Sequence, residues 1–268
     1  MVAVSSADLR IQTGNPRSPE LPHHQALLDN TDWGALATPR GTGESLPTAL
    51  AGLLDPDPVV RSAAADDALG GVSHQNTIYE ATVPVALYIA AILDQPAITA
   101  GEFGPDTGPT PHRPTLVRLL DWLSDTAYDA DDECVNVGER HFGEGYLDEY
   151  RELRAFRDLR PAIFSAVHPL LGHDDAEVRH AALIAAIPLT EHPALTAPRA
   201  ELAHHARRLL ATSTDRHHRD RALDAMKAWG HDTGELENAD DIADRERRAR
   251  LVAERASRAG GWTDDPPF

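Results

Sequence analysis

Histidine is the side chain best suited to bind metal or move protons near neutral pH, and the chain has 14 of them. Three adjacent pairs occur, at 23–24, 204–205 and 217–218. Neighbouring residues on a helix point about 100° apart, so an adjacent pair does not present two ligands to one ion. The zinc-binding patterns H-E-x-x-H and paired C-x-x-C do not occur in the sequence. We therefore expect no metal and no other cofactor.

Cys134 is the only cysteine, so no disulfide can form within the chain. It is also the one candidate thiol nucleophile, and carboxylates surround it in "DADDECVNVGE". Nearby negative charges raise the pKa of a thiol and suppress the reactive thiolate. No G-x-S-x-G motif and no Gly-rich phosphate loop occurs in the sequence. These patterns favour a protein that is not an enzyme.

One polar run, "SHQNTIYEAT" (73–82), could bind a partner or could simply join two helices. As a binding site it would present four hydrogen-bonding side chains, those of His74, Gln75, Tyr79 and Glu80. As a connector, Thr82 would cap the next helix and Pro84 would lie just inside it. The sequence leaves both interpretations open.

Acidic residues outnumber basic ones, 43 to 25, which gives a formal net charge of −18. Residues 94–150 hold 13 Asp and Glu against 3 Arg, a local balance of −10. The candidate partner-binding residues in this segment are Asp131, Asp132, Glu133, Glu139 and His141. Because charge complementarity steers encounter and selects partners, the segment predicts a protein partner with a basic surface.

The same charge argues against other classes of partner. An acidic chain repels the phosphates of nucleic acid, so nucleic-acid binding is disfavoured. No run of about 18 apolar residues occurs, which indicates that no segment spans a membrane. The N-terminal residues form no apolar secretory signal. We expect a cytoplasmic protein that does not contact the membrane.

A short pattern recurs three times along the chain. "LLDPDPVVRSAA" (53–64) matches "LGHDDAEVRHAA" (171–182), and "TDRHHRDRALDAM" (214–226) is a weaker copy. In each copy an aspartate precedes an arginine by four residues: Asp57 and Arg61, Asp175 and Arg179, Asp215 and Arg219. The last two arginines are 40 residues apart and the first two 118 apart, close to three such units. A period near 40 with two helices per unit is typical of HEAT and armadillo repeats.

The repeated pattern has the chemistry of a helix start. An aspartate side chain accepts hydrogen bonds from the free N–H groups of a first helical turn. Pro58 follows Asp57 at the first helical position, where its missing N–H costs nothing. We expect the arginine to reach back to the aspartate four residues earlier, or to the aspartate of a neighbouring unit.

Apolar periodicity predicts four pairs of helices. The pairs are 46–54 with 58–69, 82–94 with 113–127, 158–171 with 176–189, and 198–212 with 216–229. Two acidic insertions, about 95–114 and 129–150, interrupt this pattern. In repeat arrays such insertions gather on one face, which is often the binding face.

The predicted domain boundaries follow from the same pattern. A mixed-charge helix over 240–259 would cap the last unit, because an end repeat needs a polar outer face. We therefore expect a single domain over 27–259, preceded by a flexible segment (1–26) and followed by a flexible tail (260–268).

Residues 27–94 carry a further motif: an Asp-Trp pair, a proline-led apolar helix and a His-Gln-x-Thr-x-Tyr-x-x-Thr run. The matching residues are Asp32, Trp33, Pro47, His74, Gln75, Thr77, Tyr79 and Thr82. This stretch resembles a group of bacterial HEAT-repeat proteins that are common in actinobacteria. The chain departs from their pattern at Asn76, where they carry glycine, and in the apolar residues after Pro84, where they carry a Pro-Phe pair. The resemblance implies an α-solenoid and no established activity.

The sequence thus predicts an all-α, HEAT-like α-solenoid of stacked antiparallel helix pairs with helical caps. The expected function is a non-enzymatic protein–protein binding scaffold with an acidic concave face, in its most specific form an immunity protein for a basic toxin. The alternative is an enzyme on a HEAT-like frame, an alkylpurine-type DNA glycosylase, which needs a basic groove. The most basic runs, 204–210 and 244–255, lie in a segment (201–258) with 12 basic and 12 acidic residues. The sequence leaves the oligomeric state open.

Overall fold

The computed structural model describes residues 21–99 and 113–259, with side chains through residue 254. Over these residues the protein is all-α with one short hairpin, which confirms the predicted class. The helices are α1 (His24–Asn30), α2 (Leu46–Gly52), α3 (Pro58–Val72), α4 (Thr82–Ile92), α5 (Pro96–Thr99), α6 (Thr115–Tyr128), α7 (Asp132–Phe142), α8 (Tyr146–Glu149), α9 (Arg151–Asp158), α10 (Arg160–Val167), α11 (Ala176–Leu189), α12 (Arg199–Thr212), α13 (Arg216–Ala228) and α14 (Ala239–Ala259). Short 3₁₀ helices span Trp33–Ala35, His168–Gly172 and Pro193–Leu195.

The hairpin pairs β1 (Ala37–Thr38) with β2 (Gly41–Thr42) in antiparallel register, Ala37 opposite Thr42.

The contacts within the chain divide it into two compact units, with the boundary between Leu202 and Ala203. The sequence predicts one continuous domain over 27–259 instead. Helix α1 begins at His24, inside the segment predicted to be flexible, whereas residues 1–20 and the predicted tail lie outside the described residues.

Two helices form the centre of the first unit. Every residue of α4 except Ala91 is buried, and α11 is buried without interruption from Ala181 to its end. A helix that is apolar on all sides must be surrounded by other elements. Accordingly, α11 packs against α6 and α10, and α10 also packs against α4. The helices that surround them have polar sides that face solvent.

The helices predicted from apolar periodicity are present with ends shifted by a few residues, except that the predicted helix 158–171 is divided into α10 and a 3₁₀ helix. The largest difference lies in 129–150, which the sequence treats as an insertion too long for an ordinary connection. The structure folds this segment into α7 and α8. Of the other insertion, residues 96–99 form α5, and residues 100–112 lie outside the described part of the chain.

The aspartate of each repeated pattern caps the helix that follows it. Its side chain accepts a hydrogen bond from a backbone N–H of the first turn, which leaves one fewer donor unpaired at the helix start. These bonds join Val59 N to Asp57 Oδ1 (2.9 Å), Glu177 N to Asp175 Oδ1 (2.7 Å) and His218 N to Asp215 Oδ1 (2.8 Å). Pro58 occupies the first helical position of α3.

The arginine of each pattern binds backbone carbonyls, which the sequence does not indicate as acceptors. In all three copies its Nη1 donates to the carbonyl oxygen of the residue two places before the aspartate. The distances are 2.8 Å from Arg61 to Asp55, 2.7 Å from Arg179 to His173 and 3.1 Å from Arg219 to Ser213. We call this arrangement of aspartate, arginine and carbonyl the elbow.

The same residue two places before the aspartate also contributes its side chain to the elbow. That side chain accepts a hydrogen bond from the backbone N–H of the aspartate. The acceptors are Asp55 Oδ1 (2.8 Å), His173 Nδ1 (3.0 Å) and Ser213 Oγ (3.1 Å). Three different side chains therefore fill one structural role, because each places an acceptor close to its own backbone.

The elbow of the second unit includes a buried ion pair. Arg219 is 4% exposed and donates from Nη2 to Asp241 Oδ2 at 2.6 Å and to the carbonyl of Leu236 at 3.0 Å. Its hydrogen bonds, together with one from the N–H of Asn238, lower the pKa of Asp241. This ion pair fixes the start of α14 against α13.

Candidate functional site

The loop between α3 and α4, residues 73–81, contains a tight turn in an unusual backbone conformation. The N–H of Thr77 donates to the carbonyl of His74 at 3.1 Å, and the two central residues have positive φ, 48° at Gln75 and 57° at Asn76. Positive φ at both positions is typical of type I′ turns, which favour glycine and asparagine. A left-handed residue other than glycine costs about 1 kcal/mol or more, so the surroundings must hold this turn in place.

Two hydroxyl groups hold the ends of the loop. Ser73 Oγ donates to the carbonyl of Leu69 at 2.8 Å and accepts from Trp122 Nε1 at 2.9 Å. Thr82 Oγ1 accepts from the N–H of Tyr79 at 3.0 Å and lies 3.4 Å from the carbonyl of Val72. Thr82 is thus the first residue of α4 and not its N-cap, which is Ala81.

A cleft of about 280 Å³ lies between this loop and the C-terminal half of α6. His74, Gln75 and Asn76 line it from the loop, and Trp122, Asp125 and Asp129 line it from α6 and the residue that follows. Its lining contains two carboxylates and, among the described residues, no arginine or lysine. The cleft therefore has the charge to attract a cation.

The second candidate surface is the helix pair α7–α8. Asp131 caps α7 by accepting from the N–H of Cys134 at 2.7 Å. Gly143 ends α7 with a φ of 96°, a conformation in which glycine is not strained. At Gly138 the backbone lies so close to the Tyr146 ring that an added Cβ would clash with it. The absence of a side chain at Gly138 is what lets α8 pack on α7.

Three aromatic rings form one cluster on this helix pair, and we call Phe142, Tyr146 and Tyr150 the aromatic face. The Phe142 and Tyr146 rings are stacked with centroids 5.8 Å apart, and those of Tyr146 and Tyr150 are 4.4 Å apart. Phe142 remains 69% exposed. A large apolar side chain left in solvent beside other rings is typical of a protein-binding surface.

The aromatic face lies within a strongly acidic segment. Residues 129–150 hold eight Asp and Glu against one Arg, a balance of −7. Part of this charge is paired, because Asp132 contacts Arg157 and Asp148 contacts Arg154. Four exposed glutamates form no ion pair with the described residues: Glu133, Glu139, Glu144 and Glu149. Unpaired negative charge therefore lies along the helices that carry the rings.

Buried charges anchor α7 to the body of the first unit. Arg160 is 1% exposed, donates from Nη2 to the carbonyl of Ala130 at 2.6 Å and lies 3.2 Å from Glu191 Oε2. The same Glu191 oxygen accepts from the N–H of Asp132 at 2.9 Å. Burial raises the pKa of Glu191, while the nearby Arg160 opposes that shift. Because these contacts meet at the start of α7, they fix the direction in which the aromatic face points.

Cys134 lies on α7, where the surroundings of its thiol disfavour the thiolate. The pKa of its thiol is raised to about 12, first by burial and then by the Asp131 carboxylate. Its Sγ lies 3.4 Å from the carbonyl of Tyr128. The sequence indicates the direction of this shift from the carboxylates alone, whereas burial is the larger cause.

The structure divides the residues predicted to bind a partner. His74 and Gln75 line the cleft, while Tyr79 is half-buried outside that lining. Glu80 accepts from the N–H of Ala37 at 3.0 Å and so holds the hairpin. Asp131 and Asp132 serve α7 as its cap and its ion pair, whereas Glu133, Glu139 and His141 are exposed on that helix.

Sequence reasoning missed the aromatic face and the cleft wall formed by α6. The missed residues are Asn76, Trp122, Asp125, Phe142, Tyr146 and Tyr150. The three rings recur every four residues, at 142, 146 and 150, and that spacing is the signal that could have revealed them. The α6 residues carry no such signal, because their cleft forms with a loop about 50 residues earlier.

Of the two basic runs, 244–255 is largely ion-paired, whereas Arg207 and Arg208 of the run 204–210 are exposed and form no ion pair with the described residues. Arg245 pairs with Glu237, and Arg248 pairs with Asp220 at 2.8 Å. Within the described residues no cluster of three or more His, Cys, Asp or Glu could hold a metal ion. No helix there is long and apolar enough to cross a membrane.

Comparison of the chain with known proteins identifies no relative. The chain matches no protein-family model, no curated protein and no solved structure.

Proposed function

We propose that the protein is a non-enzymatic binding module whose aromatic face docks on a protein partner with a basic surface. One observation carries the proposal: a cluster of three rings, with Phe142 69% exposed, lies in a segment of net charge −7. A monomeric protein gains nothing from leaving such a cluster in water, since burial of a phenylalanine ring is worth about 2 kcal/mol. A partner that covers it would recover that energy.

Affinity and selectivity come from different parts of this surface. Aromatic side chains at the centre of an interface contribute most of the binding energy once water is excluded. Surrounding charges steer the encounter and reject partners of like charge. Glu139 and Glu144 flank Phe142 in the sequence and form no ion pair with the described residues. A basic partner therefore meets the charge first and the rings second.

The repeated elbows support a HEAT-like solenoid as the frame of this module. Two elbows are 40 residues apart at their arginines, and all three combine a capping aspartate with an arginine bound to carbonyls. A frame of this kind presents insertions such as 129–150 on one side. In its most specific form the protein is a bacterial, cytoplasmic immunity protein for a basic toxin.

The test is capture from a bacterial lysate, followed by direct measurement with the purified partner. The bait variants are Phe142→Ala with Tyr150→Ala, and the control Val59→Ala, which truncates a side chain that is 71% exposed on α3. We expect the wild type and the control to retain one basic protein at about 0.1 M salt and to release it at about 1 M. The double variant should bind at least about tenfold more weakly.

Two results would contradict the proposal. Equal retention by the double variant and by the wild type would show that the aromatic face is not the docking surface. Capture that persists unchanged at high salt would show that the glutamates do not select the partner, since salt screens exposed charges.

A further inference from the structure

We infer that the cleft between the 73–81 loop and α6 binds a guanidinium group carried on an alkyl chain. The inference goes beyond the proposed function, because it assigns a ligand to a site that includes none of the three rings. It rests on the size of the cleft, on its charge, and on three polar side chains that form no hydrogen bond with the described residues.

The size of the cleft suits one side chain. Sites for whole drug-sized ligands enclose about 300–1,000 Å³. At about 280 Å³ this cleft is smaller and takes a single extended group. Val72 and Ile78 are buried parts of its lining and give it an apolar portion that would cover the methylene groups of such a chain.

The charge of the cleft selects a cation. Asp125 and Asp129 supply two carboxylates four residues apart, on successive turns at the end of α6. His74 is the one other titratable side chain among the described residues of the lining. An anionic ligand would meet repulsion here, and an apolar one would strip water from the exposed Asp125 carboxylate without replacing it.

The polar side chains of the turn are available to a ligand. His74, Gln75 and Asn76 are exposed, and their side chains form no hydrogen bond with the described residues. Two of them lie on the left-handed backbone, where glycine would remove the strain. Residues kept in strained conformations cluster at ligand sites, where side-chain chemistry offsets the backbone cost.

The number and spread of acceptors favour guanidinium over ammonium. A guanidinium group presents five N–H donors in a fixed plane, which can meet a carboxylate and separate amide oxygens at once. The cleft offers carboxylates on one wall, and on the other it is lined by Gln75 and Asn76, whose side chains are amides. The ligand is either an arginine side chain of a bound protein or a free small molecule that carries the same group.

The cleft walls are already fixed before any ligand binds. Ser73 Oγ joins α3 to Trp122 of α6. Thr82 Oγ1, at the end of the loop, contacts the N–H of Tyr79 within the loop and the carbonyl of Val72 just before it. Little conformational entropy is then lost on binding, which suits a small site that offers few contacts. The Trp122 indole N–H is also a natural reporter, because it lies in the lining.

The experiment is an NMR titration of the full chain with Nα-acetyl-arginine N-methylamide. The matched control ligand is the citrulline analogue, which has the same shape and no charge. We expect saturable shifts of the Trp122 indole N–H and of the Gln75 and Asn76 amides, with at least about tenfold weaker binding of the neutral analogue. Equal binding of both ligands, or no saturable shift, would overturn the inference.

Variants locate the binding to this cleft. Asp125→Asn should weaken binding by about tenfold or more, whereas Asp67→Asn, an exposed carboxylate on α3 outside the lining, should leave it unchanged. Asn76→Gly removes the amide while keeping the turn, and should weaken binding without lowering the melting temperature. Unchanged binding by both Asp125→Asn and Asn76→Gly would overturn the assignment.

Two further arms separate the ligand source and the two proposals. Tighter binding of free arginine than of the capped residue would support the site and assign it to a small molecule, and the reverse would assign it to a protein side chain. Phe142→Ala should bind the probe normally, because Phe142 lies outside the cleft lining. A failed titration therefore contradicts the guanidinium site and not the proposed function. A failed lysate capture contradicts the proposed function and not the guanidinium site.

Discussion

Arg179 Nη1 lies 2.7 Å from the carbonyl oxygen of His173, six residues earlier in the chain, and 2.6 Å from that of Asp174. The guanidinium thereby joins the first turn of α11 to the residues that lead into it. The same relationship, at the same separation of six residues, joins Arg61 to Asp55 and Arg219 to Ser213. A repeated sequence pattern thus encodes a repeated backbone path.

The first prediction concerns this contact. Arg179→Ala removes two charged hydrogen bonds and leaves both carbonyls to water, so we expect the free energy of unfolding to fall by about 1–3 kcal/mol. Arg151→Ala is the matched control, since Arg151 is exposed and forms no ion pair with the described residues. Urea denaturation of the two variants measures the difference in their free energies of unfolding. Equal denaturation midpoints would show that the Arg179 contacts do not stabilise the elbow.

The second prediction concerns the close packing of α7 and α8. Gly138→Ala places a methyl group against the Tyr146 ring, and such overpacking costs about 1–3 kcal/mol. We expect faster hydrogen exchange in α7 and α8 and a changed near-ultraviolet circular dichroism of the tyrosines. Gly70→Ala is the control, because a Cβ there meets nothing within 4 Å. In a helix interior that change should stabilise by about 0.5–1 kcal/mol. A Gly138→Ala protein with unaltered exchange would contradict the packing described for Tyr146.

The third prediction concerns the pH dependence of the second unit. The pKa of Asp241 is lowered by its hydrogen bonds from Arg219, so the carboxylate stabilises the fold above its ordinary pKa of about 3.8. That stabilisation is present at neutral pH and is lost as the pH falls through the lowered value. Asp241→Asn leaves a buried Arg219 without its counter-charge and should cost about 3 kcal/mol at pH 7.

The measurement is the free energy of unfolding against pH, for the wild type, Asp241→Asn and the control Asp240→Asn. Asp240 is exposed and adjacent in sequence, and it forms no ion pair with the described residues. The curves of the wild type and Asp241→Asn should converge in acid, while Asp240→Asn should follow the wild type throughout. A constant gap between the first two curves would rule out the linkage.

The fourth prediction concerns Cys134. Because the pKa of its thiol is about 12, only a small fraction is thiolate at pH 8, and alkylation of the folded protein should be slow. Unfolding in urea returns the pKa toward its ordinary value and should accelerate the reaction by on the order of a hundredfold. Iodoacetamide labelling followed by mass spectrometry gives both rates. Comparable rates in the two states would contradict the raised pKa.

The parts of the fold that are local in sequence could be predicted. Asp57, Asp175 and Asp215 were recognisable as helix starts because a cap depends only on the residues beside it. The carbonyls that bind the arginines were not recognisable, since a carbonyl belongs to every residue and carries no sequence signature. Segment 129–150 was not predicted as helical, because its glycines and acidic residues interrupt the apolar period that marks a helix.

The parts that depend on distant contacts could not be predicted. Arg160 binds the carbonyl of Ala130, 30 residues away, and nothing beside it in the sequence indicates a buried charge. The polarity of His74 and Gln75 predicts a binding role for the loop, but nothing in the sequence indicates that Asp125 of α6 lies across a cleft from them. Pairing of two surface elements is a property of the packed chain and not of either segment.

The elbows have a consequence for how this chain could evolve. The acceptors that the three arginines share are backbone carbonyls. The residue that supplies this carbonyl is Asp55, His173 or Ser213, and each of these side chains also accepts from the N–H of the aspartate. Mutation at most positions of the elbow therefore leaves its geometry intact, provided that the aspartate and the arginine persist. The sequences of repeated units can then diverge until the aspartate and the arginine of the elbow are the only residues that they still share.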